Sequence, residues 1–239
     1  MSAAVTATYT ADEMMAVAAS RRLTDDNVCF VGIGLPSLAA NLARHTHAPG
    51  CVLIYESGTI GAKPVELPLS IGDGELAETA DAVVSVPEIF SYWLQSGRID
   101  VGFLGAAQID RHGNLNSTVI GPYEAPAVRL PGGGGAPEIA LGVEHVFVLL
   151  RHSPRAFVEQ LDFTTSLGDN LRVVITDLGL LERRDGELAL VAVHPGVEVG
   201  DVLAATGWDL LVADDLGETE PPTDAELDAL RALRTKGGG

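Results

Sequence analysis

The sequence predicts an α/β fold, an open and mainly parallel sheet flanked by helices, and two patterns carry that expectation. Cys51-Val-Leu-Ile-Tyr55 is a five-residue apolar run with no polar alternation, the signature of a strand covered on both faces. Runs of the same kind recur along the chain, separated by helical stretches and turn-forming segments, as in sheets built from strand–helix–strand units. With 239 residues, 46% hydrophobic and 20% charged, one large α/β domain, or two small ones, would bury roughly 70 to 75% of the unfolded surface. Collagenous, coiled-coil and low-complexity readings are excluded.

The elements follow in order. Residues 1–8 read as a polar leader, and Thr10-Ala-Asp-Glu13 has the spacing of a capping box, which starts a helix reaching about Arg22. Asn27 to Val31 is a strand. Gly32-Ile-Gly34-Leu-Pro36 turns it into a second helix, with Pro36 near a first helical position where no amide donor is missed. The strand Cys51 to Tyr55 ends abruptly in Glu56-Ser-Gly58. Further strands are expected at Ala82 to Val86, Val101 to Leu104, His145 to Leu150, Arg172 to Thr176 and Leu188 to Val193, with a helix from Pro87 to about Gln95. The glycine run Pro131 to Pro137 has apolar strands on both sides, so it reads as a loop within a single domain spanning residues 9–236. The last helix, about Thr223 to Arg234, places acids first and bases last, the order that suits the helix dipole. Gly237 to Gly239 reads as a flexible tail, and there is no internal repeat.

Thirty-three acidic residues against 15 basic ones give a formal charge of −18, the reverse of a nucleic-acid-binding footprint and unsuited to an anionic membrane. Small anionic substrates remain compatible with that charge, because a site needs only local donors. Cys29 and Cys51 both lie in apolar runs, so no disulfide framework is expected. The longest stretch free of charged residues, Asn27 to Ala43, is interrupted by glycine, proline and serine and is no membrane span. The first twenty residues lack Lys and Arg, against a secretory signal. The expectation is a soluble, cytoplasmic chain. The six histidines are scattered or, at His45 and His47, too closely spaced for a ligand pair on one helix face, so no metal site is expected.

Glu56 most needs explaining, because it follows five apolar residues at the carboxyl end of a buried strand. In open α/β sheets ligands bind at that edge. A carboxylate there, with Ser57 and Gly58 leaving room for an approaching group, suits a nucleophile or base; the alternative is a helix cap or an arginine partner. Two glycine turns complement it, Gly32-Ile33-Gly34-Leu35-Pro36 and Gly132 to Ala136. Glycine lets backbone amides approach a ligand closely, so either turn suits an oxyanion hole or a phosphate. Neither carries a Walker lysine or a full dinucleotide fingerprint. Gln108 and Asn116 flank a turn-rich segment and are either surface-turn residues or donors into a site. Lys63, seven residues after Glu56, is a candidate anchor for an anionic substrate or an ordinary exposed lysine.

Together, Val31-Gly-Ile-Gly-Leu-Pro36, Tyr55-Glu-Ser-Gly58, Ser70-Ile-Gly-Asp73, Gly105-Ala-Ala-Gln-Ile-Asp110, Gly113-Asn-Leu-Asn116 and Gly134-Gly-Ala136 resemble, in the same order, the β subunit of family I CoA-transferases. The likeness runs from about Tyr9 to Arg231 and is nearest the branch of glutaconate and 3-oxoadipate CoA-transferases. It implies a sugar-isomerase-like α/β fold. It also implies that Glu56 attacks an acyl-CoA thioester and becomes a glutamyl-CoA thioester in a ping-pong transfer from succinyl-CoA to 3-oxoadipate, with glutaconate or another dicarboxylate as the alternative acceptor. The turn Gly32 to Pro36 maps onto a CoA-binding loop, and Gly134, Gly135 and Ala136 onto an oxyanion and CoA-contacting loop. Ser57, Lys63, Gln108 and Asn116 are the candidate substrate contacts. No permanent cofactor is implied: coenzyme A is a substrate and a transient covalent adduct. A homologous α subunit is implied as partner, in a heterotetramer or heterooctamer. The segment Thr164 to Leu171 is shorter than the resemblance leads one to expect. Two rivals remain: a CoA-ester decarboxylase or hydrolase on the same scaffold, whose relatives lack the glutamate, and a non-catalytic ligand-binding domain.

Overall fold

In a computed structural model describing residues 9–237, Thr10 caps α1 (Ala11–Ser20) through a capping box closed in both directions. β1 (Val28–Phe30) leads through Gly34, at φ +84°, into α2 (Leu35–His45), with Pro36 in its first turn. β2 (Val52–Ile54) returns parallel to β1, with Cys29 opposite Leu53. The chain then folds straight back as β3 (Thr59–Ile60), passes α3 (Gly74–Glu78), and adds β4 (Ala82–Val83). α4 (Val86–Glu88) runs directly into a π-helical segment, Ile89–Leu94, before β5 (Val101–Leu104).

Two small hairpins follow, β6 (Gln108–Ile109) with β7 (Leu115–Asn116) and β8 (Val119–Ile120) with β9 (Val128–Arg129). After the glycine loop come α5 (Ala136–Gly142), β10 (His145–Leu149) and β11 (Leu171–Ile175). β12 (Gly179–Arg184), β13 (Glu187–Val193), α6 (Val199–Ala204), β14 (Leu211–Glu218) and α7 (Asp224–Gly237) complete the fold.

The main sheet has the order β14-β13-β12-β11-β10-β5-β1-β2-β3-β4. Its five central strands, β11 to β2 in that order, are parallel, as expected. The margins are mixed, with β14 pairing parallel to β13 at one end. β2, β3 and β4 form an antiparallel meander, as do β11, β12 and β13. The expected strand at Ala82 to Val86 is therefore a two-residue exposed edge, not a buried parallel strand. Asp185 and Gly186, at φ +52° and +90°, make the two-residue loop joining β12 to β13, the backbone that a tight hairpin demands. The expected helix from Pro87 to Gln95 is one α-turn followed by the π-helical segment. The leader 1–8 and the last two tail residues lie outside the described residues, and Gly237 ends α7.

Alternate strand residues serve opposite faces of the sheet. Phe30, Ile54, Leu104 and Val148 pack beneath the π-helical segment and α5, while Cys29, Leu53, Tyr55, Phe103 and Phe147 pack beneath α1 and α2. Burial pushes the Cys51 thiol up to about 11 and the Cys29 thiol upward as well, so both behave as small apolar groups. Among the described residues no helix is long and apolar enough to cross a membrane.

Two histidines enter the interior uncharged. His152 stacks on Phe157 at 3.7 Å between ring centroids and contacts Thr206 Oγ1 at 2.9 Å; burial pushes its pKa down to about 4. Burial also lowers His194, whose Nε2 donates to the Thr176 carbonyl. Between pH 6.5 and about 4 the unfolded chain binds protons that folded His152 does not, so stability is fully present above 6.5 and falls with pH through that window. Urea unfolding at pH 7 and pH 5 should show a lower midpoint at pH 5, and the His152→Gln, His194→Gln double variant should lose most of that difference.

Candidate active site

Glu56 owes its position to a reversal directly after β2. In the turn Tyr55-Glu56-Ser57-Gly58 the Gly58 amide donates to the Tyr55 carbonyl at 3.0 Å, and the Tyr55 amide donates to the Thr59 carbonyl at 3.0 Å. Gly58 stands at φ +112°, a conformation open to glycine, and a Cβ there would collide with the Val84 carbonyl. The space at Gly58 is therefore filled by β4's neighbour and is not the room for substrate that the sequence led us to expect. The buried Tyr55 hydroxyl contacts Ser37 Oγ at 3.1 Å and accepts from Asn41 Nδ2 at 3.4 Å, tying the turn to α2. Burial holds this phenol's pKa above its usual value. Because Tyr55 faces α1 and α2, strand alternation sends Glu56 to the opposite face, toward α5 and the π-helical segment.

There Glu56 lines a cleft of about 390 Å³ with Gly32, Ile71, Gly105, Ser117 and the loop Gly132–Ala136. The cleft lies over the carboxyl ends of β1 and β5. β2 is on one side of β1 and β5 on the other, so this is the crevice where strand order reverses and open α/β sheets bind ligands. Glu56 is the one ionisable side chain among the described lining residues. No described residue caps it or pairs with it, against the alternative of a structural ion pair.

The glycine loop comes very near. A Cβ on Gly135 would stand 2.8 Å from Glu56 Oε1 and 2.7 Å from Phe90 Cζ. Among the described residues the amides of Gly133, Gly134 and Gly135 donate to nothing, nor do those of Gly32, Ile33 and Gly34, whereas the Ala136 amide is engaged by the Gly133 carbonyl at 2.9 Å. An unpaired carboxylate beside a row of free amides is chemically suited to attack a carbonyl and to hold the oxyanion that results.

The sequence matches the Coenzyme A transferase family over residues 12–205. The chain belongs to the coenzyme A transferase family. It is 56% identical to a 3-oxoadipate CoA-transferase subunit of Pseudomonas knackmussii, over 95% of this chain and 94% of that one. It is 34% identical to a glutaconate CoA-transferase subunit of Acidaminococcus fermentans, over 93% and 91% of the two chains. The crystal structure of the Acidaminococcus glutaconate enzyme superposes with a TM-score of 0.88 at 32% identity, covering 94% of each chain. The decarboxylase AibA/AibB superposes with a TM-score of 0.87 at 28% identity, also over 94% of each chain. The scaffold is thus shared by transferase and decarboxylase, and the chain itself is a CoA-transferase.

In this CoA-transferase the predicted site residues divide. Gly32, Glu56, Gly134, Gly135 and Ala136 meet in the cleft, while Ile33, Gly34, Leu35 and Pro36 continue away from its lining into α2. The Ser57 hydroxyl is buried with no partner among the described residues. Lys63 does not reach the cleft: the hairpin carries the chain back toward the start of β2, where Lys63 borders a separate hollow with Cys51 and Val52 and pairs with Asp81. Gln108 and Asn116 are buried and spent on each other. Asn116 Nδ2 donates to Gln108 Oε1 at 2.7 Å, and Gln108 Nε2 donates to Asp162 at 2.8 Å. Neither lines the cleft.

Sequence reasoning missed Ile71, Ser117 and Phe90 as parts of the site. Phe90 sits on the π-helical segment, where the Gln95 amide reaches back to the Phe90 carbonyl, and such segments often occur at functional sites. Among the described residues no group of three or more His, Cys, Asp or Glu is placed to hold a metal.

A methyl group is enough to test the close approach. Gly135→Ala should displace the Glu56 carboxylate or the Phe90 ring and lower kcat/KM about a hundredfold, as misplacement near 1 Å does. Circular dichroism and the melting temperature should stay near the parent values.

Proposed function

We propose that this chain is the β subunit of a two-subunit CoA-transferase that moves CoA from succinyl-CoA to 3-oxoadipate through a glutamyl-CoA thioester on Glu56. The observation that carries the mechanism is the unpaired Glu56 carboxylate sharing one cleft with glycines whose amides are free. The acceptor is drawn from the relative at 56% identity; glutaconate is the acid named by the relative at 34%.

The Glu56 carboxylate attacks the thioester carbonyl of the acyl-CoA, forms an acyl-glutamyl anhydride and releases CoA as thiolate. The thiolate attacks the glutamyl carbonyl of that anhydride, forms the glutamyl-CoA thioester and expels the first acid as its carboxylate. The acceptor carboxylate then attacks the thioester and displaces CoA thiolate, giving a second anhydride. Attack of the thiolate on the acceptor's acyl carbon releases acyl-CoA and restores Glu56. Dividing one slow exchange into four acyl substitutions is the gain from a covalent nucleophile.

Each step places negative charge on a carbonyl oxygen. The free amides of Gly32 and of Gly133 to Gly135, which line the cleft, stand as its donors, one such donor being worth about 2.7 to 4 kcal/mol in oxyanion holes. Ala136 contributes by starting α5, since its own amide is engaged. With Lys63 turned away, the cation for the acceptor's second carboxylate comes from the homologous α subunit, and the two chains pair as a heterotetramer or heterooctamer.

Mass spectrometry of the assembled enzyme incubated with succinyl-CoA and then borohydride tests this reading. A glutamate reduced to its alcohol at position 56 is expected, and Glu56→Ala should lose roughly three orders of magnitude or more in kcat, as deletion of a nucleophile does. A modified peptide elsewhere, or accumulation of only free CoA or carbon dioxide without CoA on a second acid, would overturn it.

A further inference from the structure

The glycine loop has little of its own to fix its shape. Gly132 and Gly134 stand at φ +100° and +51°, and a peptide between glycines can invert at small steric cost. Ser117 holds it. The Ser117 carbonyl accepts from the Gly132 amide at 2.9 Å, and the Ser117 hydroxyl donates to the Gly132 carbonyl at 3.0 Å. A peptide unit is planar and trans, so its carbonyl and the amide that follows point in opposite directions. Fixing the Gly132 carbonyl toward Ser117 turns the Gly133 N–H the other way, and that N–H donates to no described group.

We propose that Ser117 is a positioning residue of the transfer reaction: its hydroxyl locks the Gly132–Gly133 peptide so that the loop offers amides, not a carbonyl oxygen, to the acyl group under attack at Glu56. An inverted peptide would set the negative end of its dipole against a developing oxyanion. The assignment rests on the nucleophilic role proposed for Glu56.

Ser117 is itself braced. Its amide donates to Thr165 Oγ1 at 2.9 Å, and the Thr165 and Thr118 hydroxyls are bonded at 2.7 Å. The Thr165 methyl stands 3.3 Å from where a Gly133 Cβ would be. Beneath them Asn116 Oδ1 accepts from the Thr118 amide at 2.9 Å, continuing the chain to Gln108 and Asp162. The short segment Thr164 to Leu171 thus supplies the outer support of the lock.

The test compares Ser117→Ala, Ser117→Thr and Glu56→Ala in the enzyme assembled with its partner subunit. Ser117→Ala is expected to lower kcat by about 10- to 100-fold, the scale of losing one oxyanion donor or less, with KM for both substrates and the melting temperature unchanged. Ser117→Thr, which keeps the hydroxyl, is expected to restore most of kcat. A parental rate in Ser117→Ala would overturn the proposal. So would a loss that comes with raised KM and a lowered melting temperature and that Ser117→Thr does not repair. An active Glu56→Ala brings down the nucleophile itself, whereas an inactive Glu56→Ala beside a fully active Ser117→Ala removes only the lock.

Discussion

The site depends on the reversal of the chain after β2. A carboxylate held unpaired in a cleft gains nothing from its surroundings, so its position has to be enforced by the backbone that carries it. The enforcement comes from a helix above the sheet and from the neighbouring strand within it: Tyr55 is anchored to Ser37 and Asn41 on α2, and Gly58 is pressed against the Val84 carbonyl. Residues that never face the cleft therefore determine where Glu56 points. Period-2 alternation completes the arrangement by burying Tyr55 on one face and delivering its neighbour to the other.

A second constraint is electrostatic. The chain carries −18, and the described lining of the cleft includes no cationic side chain. Carboxylates and a thiolate nevertheless have to meet there in the proposed cycle. In that proposed cycle main-chain N–H groups are the donors that resolve the conflict: they offer partial positive charge without the bulk or titration of a lysine, and wherever substrate excludes water such dipoles are worth more than in solution. Glycine at 135, where a Cβ would stand 2.8 Å from Glu56 Oε1, is what lets the loop come close enough.

Much of this was legible in the sequence, and the failures have particular causes. The apolar run ending at Tyr55 marked both the strand and the residue of interest, and Thr10 with Glu13 marked the first helix cap. Asp185-Gly186 was an equally plain hairpin signal that went unused, so the antiparallel β12–β13 pair was missed. β14 was hidden because Leu211–Glu218 is an exposed edge carrying three acids and shows no apolar alternation. Lys63 was misplaced because sequence distance ignores a hairpin: seven residues after Glu56, the chain has already run back along β2. Gln108 and Asn116 read either as surface-turn residues or as donors into a site, and only the structure shows them buried and bonded to each other. Phe90 and Ser117 gave no local signal at all, since a π-helical segment and a hydroxyl-to-carbonyl lock are written in tertiary contacts.

The glycine loop carries a consequence for how this protein tolerates variation. A donor that belongs to the main chain is present whatever amino acid a codon specifies, proline apart, so hardly any point substitution can delete it. What a substitution can do is obstruct it, by growing a side chain into the narrow gap beside Gly135. Harmful changes at these positions are therefore additions of atoms, and an allele survives there only by remaining the smallest residue available.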